Sequence, residues 1–269
     1  MTLTTLVTHI EAGDPEALDA GLATPFALAE AYSAHLTALV FSIETETAAT
    51  ATTGWDPASA EEQTAVQLRA AAERRGVSCE IRSRSSFAYG TGDVFVDHLR
   101  VSDLGVFTLH AARGAGQRML LNAAIFNGGR PVLMVPQNRP LRAPPSRIVV
   151  AWDATPGAVR AMHDALPFIR RAAETLVVTV TDDKDLRSGQ SGIELTHLLA
   201  RHGAKARFSA VRRDGGTVLE RILAAAQEAQ ADLLVMGAIR HSPLRNIILG
   251  SATQDLLDRG PRLATLVAA

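Results

Sequence analysis

The sequence has little of the features that define several specialised classes of protein. It contains one cysteine, Cys79, which excludes an internal disulfide and a cysteine-rich metal site. Aromatic residues make up 4% of the chain, and 27 Lys and Arg residues stand against 28 Asp and Glu residues, for a net charge of −1. Because there is neither a basic excess nor a basic amphipathic stretch, we expect no nucleic acid and no membrane surface among its partners.

Long apolar runs are also missing. No run approaches the ~18 residues expected of a transmembrane helix, and the first residues lack the basic start and apolar core of a signal peptide. We therefore expect a cytoplasmic protein. What is present is a composition typical of a globular protein, with 47% hydrophobic and 20% charged residues. At roughly 150 residues per domain, the 269 residues suggest two domains.

Short apolar runs alternate with segments of helical periodicity along the whole chain, which predicts an α/β fold with a parallel sheet. The predicted strands are residues 3–10, 39–43, 77–82, 104–109, 131–135, 148–152, 176–180, 206–211, 232–236 and 263–267. The predicted helices cover 26–38, 59–76, 94–100, 120–126, 155–169, a segment through 195–199, 218–229 and a segment that starts at 251. The helix at 59 is expected to begin with a Ser59–Glu62 capping box. At 155, Thr155 and Pro156 supply an N-cap and a first-turn proline.

The second half of the chain repeats the first. Asp103 before an apolar run matches Asp232 before another, 129 residues later. Residues 136–147, with four prolines and three arginines, are the clearest linker in the chain. Two copies of one α/β unit, residues 1–142 and 143–269, therefore account for nearly the whole sequence.

One segment of the second half has the features of an anion-binding loop. The apolar strand at 232–236 stops at Gly237, a polar and basic loop containing Arg240 follows, and Gly250 then precedes Ser251. Ser251 and Gln254 have the spacing of a capping box, so a helix is expected to start there. Free backbone N–H groups and the positive end of a helix dipole favour an anion at such a place.

This segment resembles the nucleotide-binding segment of the universal stress protein family, which reads Gly-x2-Gly-x9-Gly-Ser/Thr. Gly237, Gly250 and Ser251 fit the pattern, whereas Arg240 stands where the middle glycine is expected. The resemblance covers both halves and implies the tandem form of the family. It implies two Rossmann-like domains, of the adenine nucleotide alpha hydrolase-like type. Each would have a five-stranded parallel sheet in the order 3-2-1-4-5 and helices on both faces.

The resemblance also implies a nucleotide site in the second half. Asp153, after the first strand, matches an aspartate near the nucleotide, and Val180, at the end of the second strand, matches a position against adenine. The alternative for Asp153 is helix capping without a ligand, and a plain N-cap is equally open for Ser251. The implied site comprises Asp153, Val180, Met236, Gly237, Arg240, Gly250, Ser251 and Ala252.

The function implied by the resemblance is that of a sensor or regulatory protein of the stress response that binds ATP or AMP, with Mg²⁺ accompanying ATP. The protein would be at most a weak ATPase, because no general base is identified. Self-association as a homodimer, pairing of the two domains and unidentified protein partners are also expected. The first half carries Ile10 and Glu11 where Asp153 stands in the second, and it lacks the Gly-Ser pair. We therefore expect a degenerate first domain with a structural role.

Two other classes of function stay open. A protein-interaction module that binds no nucleotide is supported by Arg240, since a side chain there could block the approach of a ligand to the backbone. A nucleotide-dependent enzyme is disfavoured because no nucleophile–base pair is recognisable. No metal site is expected either, because His110 and His241 have no ligand partners at metal spacing, and Asp182 and Asp183 are typical of a solvated turn.

Overall fold

A computed structural model describes residues 2–13, 15–41, 57–83, 91–109, 115–181, 186–238 and 251–269. The chain divides into two compact units, Leu3–Ala143 and Pro144–Ala269. Within the described residues, no helix is both long enough and apolar enough to cross a membrane.

The first unit is a parallel sheet of five strands with helices in the connections. Its strands are β1 (Thr5–Ile10), β2 (His35–Val40), β3 (Cys79–Ser83), β4 (Leu104–Leu109) and β5 (Val132–Pro136). Its helices are α1 (Pro15–Tyr32), α2 (Pro57–Arg75), α3 (Thr91–Arg100) and α4 (Ala115–Asn127). The strand order is β3-β2-β1-β4-β5, and every described pair is parallel.

The second unit repeats this plan. Its strands are β6 (Arg147–Ala151), β7 (Glu174–Thr181), β8 (Ala206–Arg212), β9 (Leu233–Gly237) and β10 (Ala264–Ala268). Its helices are α5 (Pro156–Asp164), α6 (Leu166–Ile169), α7 (Leu186–Arg201), α8 (Val218–Glu228) and α9 (Ser251–Arg259). The order β8-β7-β6-β9-β10 is again 3-2-1-4-5. The predicted fold class, with two tandem Rossmann-like domains, is confirmed.

In each unit the third strand, at one edge of the sheet, is the most exposed, and the other strands are mostly buried. Every residue of β5 and β10 is buried, whereas β3 and β8 contain no buried residue. Central parallel strands read as continuous apolar runs because helices cover both of their faces.

The repeated aspartates join the same two strands in both units. The Asp103 carboxylate accepts hydrogen bonds from the backbone N–H groups of Thr4 and Thr5 at 2.8 and 3.0 Å. Asp232 does the same for Ser146 and Arg147 at 2.8 and 2.9 Å. Each carboxylate therefore satisfies backbone donors where the first strand of its unit begins, beside the start of the fourth. The internal repeat is thus a repeated structural contact.

Some predicted boundaries are wrong. Helix α1 ends at Tyr32, so the helix predicted over 26–38 and the strand predicted over 39–43 are both displaced. Ser33 takes the left-handed conformation (φ 53°), and Ala34 N–H donates to Ala29 O at 2.9 Å, which closes the helix end. Glycine usually fills such a position, and a serine there does not indicate a C-cap.

Two further helix predictions need correction. Ser59 is not an N-cap, because α2 already begins at Pro57. The helix predicted from Thr155 to Ile169 is divided into α5 and α6 at Ala165. Pro167 lacks an N–H group to continue the i to i−4 ladder, which accounts for the break.

The proline inside α1 creates a local requirement that the sheet meets. Pro25 has no N–H to donate to the carbonyl of Gly21, its i−4 neighbour in the helix. The hydroxyl of Thr108, on β4, donates to that carbonyl at 3.2 Å. A side chain of the sheet therefore replaces the missing helical hydrogen bond and ties α1 to β4.

We predict that Thr108→Val lowers the free energy of unfolding by about 1 kcal/mol, because the Gly21 carbonyl loses its donor. Thr108→Ser, which keeps the hydroxyl, should lose much less. In a Pro25→Ala background the helix regains its own donor, so the cost of Thr108→Val should shrink. Urea unfolding of the four variants tests this, and an equal cost in both backgrounds would contradict it.

Candidate functional site

The ends of β6, β7 and β9 form one edge of the second sheet. These three strands are neighbours and run parallel, so their carboxyl ends point the same way. Asp153 follows β6, Val180 lies near the end of β7, and Gly237 ends β9 after Met236. The structure therefore brings Asp153, Val180, Met236 and Gly237 to the edge where parallel α/β sheets bind ligands.

Asp153 organises the turn between β6 and α5. One oxygen, Oδ1, accepts hydrogen bonds from the backbone N–H of Thr155 at 3.0 Å and from its hydroxyl at 2.7 Å. Ala154, between them, adopts a positive φ of 57°. Thr155 in turn caps α5 by accepting from Ala158 N–H at 3.3 Å, as the sequence predicted. The Asp153 side chain remains exposed, so it orders the turn and still faces solvent.

The residue before Asp153 is held on three sides. Trp152 N–H donates to Val178 O at 2.8 Å, which extends the β6–β7 ladder. The Trp152 carbonyl accepts from the hydroxyl of Thr179 at 2.8 Å, and its indole Nε1–H donates to Ser191 Oγ of α7 at 2.8 Å. Neither side-chain contact could be predicted from the sequence, because each joins residues far apart in the chain.

Gly237 has a packing reason to be glycine. A Cβ there would lie 2.4 Å from Ala158 N and 2.4 Å from Gly157 C, both in the backbone of α5. Gly157 is constrained in return, since its Cβ would lie 2.9 Å from Ala238 O. The backbone of α5 thus rests directly on the end of β9. The signal that could have revealed this contact is Gly157, just after the helix cap.

Of the other predicted site residues, some are described by the structure and some are not. Met236 is buried within the sheet, opposite Val267, so only its main chain could reach a ligand. Val180 is partly buried and pairs with Val211. Helix α9 begins at Ser251, as predicted. Beyond the described residues or side chains lie Arg240, Gly250, Ser251 Oγ, Ala252 Cβ, His110, Asp182, Asp183 and His241.

In the first unit, aromatic side chains lie at the corresponding carboxyl edge of the sheet. When the two units are aligned by the registers of the β1–β2 and β6–β7 pairs, His9 corresponds to Ala151 and Phe41 corresponds to Val180. The His9 and Phe41 rings lie 4.3 Å apart, Phe41 is fully buried, and His9 Nε2 lies 2.9 Å from Phe41 O. Glu11, aligned with Asp153, places Oε2 3.8 Å from His9 Nε2. Two buried rings therefore occupy this end of the first sheet, although the absence of a nucleotide site there stays a prediction.

Burial also sets the charge of His9. Desolvation lowers its pKa to about 4, against the opposing effect of its contact with the Phe41 carbonyl. His9 is therefore neutral at pH 7 and behaves as part of the core. Across the described part of the chain, no group of three or more His, Cys, Asp or Glu side chains is arranged to hold a metal ion.

Comparisons with known proteins agree with this geometry. Residues 145–262, within the second unit, match the model of the universal stress protein family. A universal stress protein from Archaeoglobus fulgidus is similar in structure, with a TM-score of 0.70, 14% identity and coverage of 97% of each chain. A functionally unknown protein from Pseudomonas aeruginosa is also similar, with a TM-score of 0.62, 16% identity and coverage of 99% of this chain and 92% of that one.

At these identities the structural likeness shows a shared fold over both units. The comparison with curated proteins found no match.

We predict that Gly237→Ala destabilises the second unit by about 1–3 kcal/mol or more, because a new Cβ collides with the backbone of α5. Gly216→Ala is the matched control. Its Cβ would come no closer than 3.5 Å to any atom, so it should be tolerated. Thermal unfolding without added ligand tests the pair. Equal stability of the two variants would contradict the packing role of Gly237.

His9 predicts a pH dependence of stability. Between its ordinary pKa of 6.5 and its folded pKa of about 4, the unfolded chain takes up a proton that the folded one does not. Stability is therefore lost as pH falls through this window, by up to about 3 kcal/mol for this group. Denaturant unfolding from pH 7 to 4 should show that the free energy of unfolding falls less steeply for His9→Gln than for the wild type. Parallel losses would refute the assignment.

Proposed function

Residues 145–262 match the model of the universal stress protein family, and from this match we propose that the second half of the chain binds an adenine nucleotide, ATP or AMP. The protein then works as a sensor or regulatory protein of the stress response and not as an efficient enzyme. The observation that carries the proposal is the difference between the two sheet edges. The second leaves Asp153 exposed beside a partly buried Val180, whereas buried rings fill the first at His9 and Phe41.

The described residues fit the base and the sugar of such a ligand. Val180 offers an apolar surface of the kind on which a purine packs. The exposed Asp153 carboxylate can accept hydrogen bonds from ribose hydroxyls, as an acidic residue does in the parallel sheets that bind dinucleotides. The two groups stand at the ends of neighbouring strands, β6 and β7, which suits a nucleoside that spans them.

The phosphates belong to the other side of the edge in this proposal. Arg240, Gly250, Ser251 and Ala252 hold them, on the strength of the sequence motif and of the N-terminus of α9. Mg²⁺ would arrive with ATP and be held mainly by its phosphate oxygens. Homodimerisation, protein partners and a cytoplasmic location are part of the same proposal, by the family resemblance alone.

Titration calorimetry with ATP and with AMP tests the proposal on the full chain. We expect one nucleotide per chain. Asp153→Asn keeps an oxygen for Thr155 but removes the charge, so it should weaken binding about tenfold, or about 1.4 kcal/mol. Glu11→Gln, the aligned change in the first unit, should leave the affinity unchanged.

Nucleotide released from the freshly purified protein on denaturation provides a second readout. ATP or AMP in the supernatant supports the proposal. No released nucleotide together with no heat from either ligand would refute it, and would favour the interaction module that binds no nucleotide.

A further inference from the structure

A buried threonine beside the proposed site has a hydrogen bond that the fold does not require. Thr179, on β7, is 2% exposed, and its hydroxyl donates to the carbonyl of Trp152 at 2.8 Å. Trp152 is the residue immediately before Asp153. The contact therefore fixes the peptide group that carries Asp153 out of the sheet.

The first unit shows how the same fold manages without this hydroxyl. The β1–β2 and β6–β7 ladders align Thr179 with Val40, which has the same shape and no donor. There the backbone N–H of Phe41 donates to the carbonyl of Ile10, the counterpart of Trp152, at 3.3 Å. One unit continues its ladder through the main chain, and the other uses a side chain at the same point.

The difference lies in which group donates to the carbonyl at the end of the first strand of each unit. Side chains of a strand stand roughly perpendicular to the sheet. The Thr179 hydroxyl therefore approaches the Trp152 carbonyl from one face of the sheet. Two further hydrogen bonds hold the same segment. The Trp152 indole donates to Ser191 Oγ at 2.8 Å, and the Thr155 N–H donates to Asp153 Oδ1.

We propose that Thr179 is a positioning residue for the nucleotide site, holding the Trp152–Asp153 peptide so that the Asp153 carboxylate meets the ribose hydroxyls. This rests on the proposed function. Burying a hydroxyl costs little folding free energy when it forms a hydrogen bond and costs more when it has no partner. A threonine here is therefore explained by the carbonyl it serves.

Three substitutions separate the hydroxyl from the shape of the side chain. Thr179→Val reproduces Val40 and should weaken nucleotide binding about tenfold. Thr179→Ser restores the donor and should bring the affinity back to within about twofold of the wild type. The matched control is Thr175→Val on the same strand. Thr175 is 1% exposed and its hydroxyl has no hydrogen-bond partner among the described residues, so its loss should not change binding.

A double-mutant cycle shows whether Thr179 acts through Asp153. In an Asp153→Asn background, Thr179→Val should cost much less than in the wild type, because the carboxylate it positions is already lost. A merely structural role would give the same loss in both backgrounds. Wild-type affinity for Thr179→Val, or equal weakness of the Val and Ser variants, would also overturn the inference.

Amide hydrogen exchange at Thr155 tests the positioning without any nucleotide. The Thr155 N–H donates to Asp153 Oδ1, so it reports whether that carboxylate is held in place. Thr179→Val should speed its exchange, and Thr179→Ser should restore the protection. If the wild type binds no nucleotide while this exchange still responds, the proposed function fails and the positioning stands. If exchange does not respond, the positioning fails.

Discussion

The close contact between the N-terminal turn of α5 and the end of β9 is the constraint on which the second unit's edge depends. Gly237 and Gly157 leave no room for a Cβ between the two backbones. The start of α5 is thereby fixed at the carboxyl end of the sheet. Thr155 can then cap the helix and bond to Asp153 from one place. The exposed carboxylate follows from backbone packing and needs no ligand to hold it.

The first unit shows that the same strand order can be built with a different edge. Thr108 lies 129 residues before Gly237, at the corresponding place in the repeat, and its hydroxyl donates to the carbonyl that Pro25 leaves without a helical donor. His9 and Phe41 then fill the end of β1 with two rings in contact. The pattern of burial in the central strands dictates the fold in both units. The chemistry of each sheet's carboxyl edge depends on a few side chains, and the fold accepts different residues at those positions in the two units.

The strand order and the Thr155 cap could be predicted because they depend on local patterns and on a family resemblance. The packing role of Gly237 and the contact from Thr179 to Trp152 could not, because each arises between elements that meet only in the folded chain. The early end of α1 was missed for a related reason. Ser33 takes a left-handed conformation that is usually adopted by glycine. Arg240 and Gly250 lie outside the described residues, so their roles rest on the sequence motif.

In our proposal one edge of this tandem fold binds a nucleotide and the other does not. Amide hydrogen exchange of the full chain, with and without saturating ATP, tests it most directly. We predict that ATP slows exchange at residues 151–158 and 233–238, which border the second edge, and leaves exchange unchanged at residues 5–13 and 104–109 of the first. Protection at the first edge, or no ATP-dependent protection at either, would contradict it.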